Sequence, residues 1–140
     1  MVHLYSVLSV SPVKEDHATL RKLLQGSQWQ IRESDSLTST LLLLEEHRIP
    51  LLISERDLHP GNWKELLEQL ANFPTPPYVI IASRQADEDL WTNALNAGAY
   101  DVLAKPFNAS ELRRTLSDAW RQWHKTFEPE GAPKAMAACA

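Results

Sequence analysis

Apolar residues fall along this chain in short blocks separated by polar turns, and the blocks alternate between two periods. Leu4-Tyr5-Ser6-Val7-Leu8-Ser9-Val10 is a compact apolar run halted at Ser11-Pro12, the pattern of a buried strand ending in a turn. Residues 15–24 carry leucines at 20, 23 and 24, a helical face that Gly26 is placed to stop. Trp29-Gln30-Ile31-Arg32 is a weaker strand, and a leucine-rich helix over residues 37–47 follows, capped by Ser36 or Asp35. Its consecutive Leu41 to Leu44 demand more than a narrow apolar stripe.

The alternation continues with Pro50-Leu51-Leu52-Ile53-Ser54-Glu55, the turn His59-Pro60-Gly61-Asn62, and a helical face made by Trp63, Leu66, Leu67 and Leu70. Tyr78-Val79-Ile80-Ile81-Ala82 is a fourth strand, residues 87–97 a helix that Gly98 ends, and residues 99–104 a fifth strand. Asn108 caps the last helix, with Glu111 at the capping-box position, and Leu112, Leu116, Trp120, Trp123 and Phe127 recur along it at helical spacing. Five strands that are apolar throughout, each followed by a helix, predict an α/β fold with a parallel sheet covered on both faces. Right-handed crossovers make it doubly wound, with the loops after the strands gathered at one edge as the expected site. Residues 1–127 are expected to form one domain and residues 128–140 a flexible C-terminal tail.

Composition narrows the class. At 140 residues the chain suits one domain, since domains usually run to roughly 100–200 residues. A hydrophobic fraction of 44% and a charged fraction of 23% are those of a folded protein. A net charge of −4 with scattered Lys and Arg argues against nucleic acid as a direct partner. Cys139 is the only cysteine, which excludes an intramolecular disulfide and a thiolate-rich metal centre and fits a reducing cytoplasm. No stretch of about 18 apolar residues exists to cross a membrane, and no export signal is read at the N-terminus.

The string Asn96-Ala97-Gly98-Ala99-Tyr100-Asp101-Val102-Leu103-Ala104-Lys105-Pro106-Phe107 resembles the end of a response-regulator receiver domain. The resemblance extends over roughly residues 3–125 and implies a flavodoxin-like (βα)5 fold. It also implies a bacterial, cytoplasmic module of two-component or phosphorelay signalling.

Working receivers carry an acidic pair after the first strand that, with the acceptor Asp ending the third, holds Mg²⁺. Here those positions fall on Ser11 and Pro12, which cannot replace two carboxylates, so neither a metal nor any other cofactor is expected. Glu15 and Asp16 read as first-turn acids favoured by the helix dipole, not as substitutes. The acceptor position falls on Glu55, with Asp57 as the alternative. A glutamate's extra methylene displaces its oxygens by ~1.5 Å, and misplacement on that scale costs a positioned reaction ~100-fold. Ala82, followed by Ser83, stands where the family has a hydroxyl, and Val102 where it has an aromatic switch. Ser83 and Tyr100 would substitute only with a shift of strand register. Lys105 remains and is expected to pair with Glu55, at an attraction of ~4 kcal/mol before desolvation is subtracted. In this family the Lys105-Pro106 bond is usually cis.

The degenerate site implies a pseudo-receiver with no catalytic residue, a stand-alone module acting by contact with a protein such as a histidine kinase, a response regulator or an output protein. A homodimer through the last two helices and last strand is a further expectation, with Trp91, Tyr100, Trp120 and Trp123 as the surface, though the same rings could simply cover the sheet edge. Two other classes stay open: a working phosphoacceptor using Glu55 or Asp57 with Lys105, and a flavodoxin-like cofactor binder. Histidines 3, 17, 47, 59 and 124 lack metal spacing and read as surface residues, while Trp63 reads as core or as a loop anchor.

Overall fold

A computed structural model describes residues 5–58 and 60–128 of the chain. Strands and helices alternate without exception: β1 (Tyr5–Val10), α1 (Lys14–Leu23), β2 (Trp29–Ser34), α2 (Leu37–Glu46), β3 (Leu51–Glu55), α3 (Trp63–Leu70), β4 (Tyr78–Ser83), α4 (Glu88–Asn96), β5 (Asp101–Ala104) and α5 (Ala109–Phe127). The strands form one parallel sheet in the order β2-β1-β3-β4-β5. This is the doubly wound architecture expected from the apolar blocks, and its carboxyl edge gathers the ends of β1, β3, β4 and β5.

Strand alternation sends neighbouring residues to opposite faces, so the central strands must be apolar throughout. Leu8, Leu52, Val79, Ile81 and Val102 pack into one core, while Val7, Leu51, Ile53, Ile80 and Leu103 pack into the other. Trp63 belongs to the first core, which settles its role. Helix α5 closes the second core through Leu112, Leu116 and Ala119, with the buried Trp123 continuing the same stripe. Its Asn108 side chain accepts a hydrogen bond from Glu111 N–H at 2.9 Å, satisfying a donor that the first turn leaves open. Gly98 (φ 105°) ends α4 in a conformation costly for any residue with a Cβ.

Two helices differ from expectation in detail. In α2 the cap is Ser36, which accepts from Ser39 N–H at 3.1 Å. The fully buried residue of α2 is Thr40, whose hydroxyl donates to Ser36 O (2.7 Å) and is hydrogen-bonded to Ser34 Oγ at 2.9 Å. The leucines therefore fan around that point: Leu41, Leu43 and Leu44 are half-buried and Leu42 is exposed. The fifth strand begins at Asp101 and not at Ala99, because Ala99 N–H is taken by the α4 carbonyl of Ala94 at 2.9 Å. The proposed tail from residue 129 onward, His3 and His59 lie outside the described residues.

Candidate functional site at the carboxyl edge of the sheet

The end of β1 sets the site's shape. Ser11 is buried beside β2, its N–H donating to Ser34 O at 3.0 Å. Its hydroxyl accepts from Val13 N–H (3.1 Å) and donates to Asp16 Oδ2 (2.6 Å), fixing the turn that starts α1 and drawing Asp16 inward. One residue on, His17 is only 6% exposed. The Ser11 carbonyl can only accept, so His17 Nε2–H donates to it at 3.0 Å, and Nδ1 then accepts from the Ser9 hydroxyl at 2.7 Å. Two expectations are corrected here. Asp16 is more than a dipole acid, because its helical position turns it toward the sheet edge while Glu15 stays exposed. His17 is a buried structural histidine and not a surface one.

Lys105 projects from the loop after β5 between two carboxylates. Its Nζ donates to Asp16 Oδ1 (3.2 Å) and Oδ2 (3.1 Å) and is in direct contact with Glu55 Oε2. The Lys105 side chain is 10% exposed. The backbone supports this placement, with Lys105 N–H donating to Ser83 O at 3.0 Å and the Lys105-Pro106 bond cis. One ammonium thus lies against two carboxylates, and among the described residues no buried side-chain polar atom is left unpaired.

The rest of the edge offers few reactive groups. Strand register places Ala82 directly beside Glu55, so a methyl faces the acid where a hydroxyl would be needed for recognition. Ser83 is buried, and its Oγ accepts from Gln85 N–H at 3.0 Å. Val102 is packed in the core. Asp57 is exposed and paired with Arg56 at 3.2 Å. Pro12, Glu55, Asp57, Arg84 and Lys105 line an open crevice of about 430 Å³.

Magnesium favours near-octahedral oxygen coordination by carboxylates and water. In this donor set Asp16 already accepts from Lys105 and Ser11, Glu55 accepts from Lys105, and Pro12 has no side-chain donor atom. Three of the four carboxylate oxygens of this pair are thus already engaged by the Lys105 ammonium. Among the described residues no three His, Cys, Asp or Glu side chains converge as metal ligands.

The four rings proposed as a surface do not share one. Trp91 is 49% exposed on α4. Tyr100 stacks on Tyr78 with ring centroids 5.7 Å apart. Burial raises its phenol above the ordinary 10.0, helped by the Asp118 and Asp101 carboxylates and by Tyr78, with Arg121 opposing. Trp120 turns toward Tyr5 of β1, their ring centroids 4.7 Å apart. Trp123 is 2% exposed and donates its indole N–H to Pro76 O at 3.1 Å, so it belongs to the core.

An open parallel sheet with a lysine and two acids converging at its carboxyl edge defines a doubly wound α/β domain with its polar site at that edge. Residues 13–117 match the response regulator receiver domain, and the chain belongs to that family. The KDP operon transcriptional regulatory protein KdpE of Escherichia coli (strain K12) is 30% identical over 125 residues, 89% of this chain and 55% of KdpE. Transcriptional regulatory protein MalR of Bacillus subtilis (strain 168) is 33% identical over 89 residues, 64% of this chain and 38% of MalR. The chain spans about half the length of the curated relatives it matches, or less. Among solved structures, the signal receiver domain of an HD domain-containing protein from Pseudomonas fluorescens Pf-5 superposes with a TM-score of 0.81 at 25% identity, covering 91% of this chain and 95% of that one. Among the described residues no helix is long and apolar enough to cross a membrane.

Proposed function

We propose that this receiver domain passes its signal by protein–protein contact, without forming an acyl phosphate. One observation carries the reading: the Lys105 ammonium is held between Glu55 and Asp16, with Ser11 closing the far side of Asp16. Phosphoryl transfer to a carboxylate needs a cation to offset the charge developing on the phosphoryl oxygens. Here the nearest cation is committed to the carboxylates, and the acidic pair that would recruit another is Ser11 and Pro12. The methyl of Ala82 and the packed Val102 supply neither a hydroxyl nor a ring to read a phosphoryl group once formed. The exposed Asp57 lines the same crevice but is paired with Arg56 rather than with Lys105. Partners of the expected class are a histidine kinase, another response regulator or an output protein in the cytoplasm.

Incubation with acetyl phosphate and Mg²⁺, followed by intact-mass measurement, tests this. The expected result is an unchanged mass. A stoichiometric gain of one phosphoryl group, removed by Glu55→Gln or Asp57→Asn, would establish the working phosphoacceptor instead.

A further inference from the structure

At the opposite end of the sheet, where β1 and β2 begin, lies a second hollow of about 430 Å³. Tyr5, Trp29 and Trp120 form its apolar walls, with Tyr5 centred 5.5 Å from Trp29 and 4.7 Å from Trp120. All three rings are half-buried, so they present surface to the hollow without filling it. The mouth is set by α5: Arg113, Ser117, Trp120 and Arg121 lie at spacings of four, seven and eight residues, a single helical stripe beside the buried one. Binding cavities for small ligands begin at about 300 Å³ and combine apolar walls with a few convergent polar groups.

The charges at the mouth specify the ligand further. Arg121 is ion-paired with Asp118, so it adds little net charge. Arg113 is exposed, and its guanidinium donates to the Leu23 carbonyl at 2.9 Å; it makes no ion pair among the described residues. A guanidinium bound to a neutral carbonyl retains its full charge and further N–H donors suited to a carboxylate. Aromatic walls with one uncompensated cation at the rim match a planar ring system bearing a single negative charge. A second negative charge would find no second uncompensated cation, because Arg121 is already paired with Asp118.

We propose that this hollow is a binding site for a small aromatic monocarboxylate. The site is independent of the Lys105 edge and of whether that edge is phosphorylated. Titration of the full chain with indole-3-acetate, followed through amide resonances, tests it against neutral indole-3-acetamide and doubly charged phenyl phosphate. The expected dissociation constant for the acetate is on the order of a millimolar, as suits a ligand of this size. Shifts should concentrate at the starts of β1 and β2 and along residues 113–121. The acetate should bind about fivefold more tightly than the acetamide, the scale of one exposed charge-assisted hydrogen bond. Arg113→Gln, at an exposed position, should erase that difference. Ser117→Trp, which fills the mouth from another exposed position, should weaken both indole ligands at least tenfold. Discrimination surviving Arg113→Gln, tighter binding of phenyl phosphate than of indole-3-acetate, or shifts centred on Lys105 would each overturn the proposal.

Discussion

The two ends of the sheet are built from opposite materials. At the carboxyl edge, short polar side chains and one lysine complete each other's hydrogen bonds: Ser11, Asp16, Glu55 and Lys105 above, with Ser9 and His17 beneath. At the other end, Tyr5, Trp29 and Trp120 meet at angles that leave a hollow between them. Polar groups that find partners at hydrogen-bond distance draw the chain in, because leaving any of them buried and unpaired costs about 1–3 kcal/mol each. Large rings touching edge to face keep centroids ~5 Å apart and close less completely. Both ends carry an open hollow of about 430 Å³, so what differs is the lining: the edge where the family does its chemistry is the one whose polar groups already satisfy each other.

Both ends hang on α5, so the largest expected effect removes the contrast altogether. Leu116 is fully buried in the core that α5 closes. Leu116→Ala should lower unfolding free energy by about 4 kcal/mol, since deleting a buried leucine loses its transfer free energy and leaves a cavity. Urea denaturation measures this, and amide exchange should quicken at β1 and β3 together. If only one end loosened, α5 would not be the shared support.

Lys105→Met addresses the carboxyl edge alone. The ammonium and its two carboxylates are largely withdrawn from water, and removing one member of such a group leaves uncompensated charge. A loss of about 3 kcal/mol is expected. Combining it with Asp16→Asn and Glu55→Gln should restore a large part of that loss, and indole-3-acetate binding should not change in either variant. Full stability in the single variant would mean that Asp16 and Glu55 are not held by Lys105.

A third, smaller effect concerns the support beneath. His17→Phe keeps the ring but removes the acceptor for Ser9 Oγ–H and the donor to Ser11 O. About 2 kcal/mol should be lost, with thermal melting as the measure. Leu24→Ala, at the C-cap of the same helix, is the control for packing, because its buried side chain is apolar.

Most of the fold was legible because strand and helix periods are carried by apolar residues, which report burial directly. The ends of β3 and β5 could be placed, and with them Glu55 and Lys105. Asp16 and His17 were misjudged by reading them as helix-terminus and surface residues. The helical count from Leu20 contained the correction: residues 16 and 17 lie four and three positions before a core leucine and share its face. Trp123 was equally readable, seven residues beyond Leu116 on the buried stripe. Thr40 was not, since its burial depends on a hydroxyl supplied by Ser34 on another element, and apolar periodicity carries no sign of that pairing. The hollow beside Trp120 was invisible for the same reason, because Tyr5 and Trp29 reach it from strands whose lateral order no local pattern fixes.

The smallest expected effect tests how dry the surroundings of Tyr100 are, just before β5. Tyr100 stacks on Tyr78, and burial, followed by the Asp118 and Asp101 carboxylates, raises its phenol above 10.0. The neutral form is the one the folded state favours. The Tyr100 contribution to stability is therefore constant below pH 10.0, the unfolded value, and is lost as pH rises above it toward the folded value, because the unfolded chain releases its proton first. Difference absorbance of the wild type against Tyr100→Phe should show this phenol ionising later than a model tyrosine. Asp118→Asn should move it part of the way back, leaving the share due to burial. Ionisation at the model value in the wild type would mean that water reaches the Tyr78–Tyr100 stack.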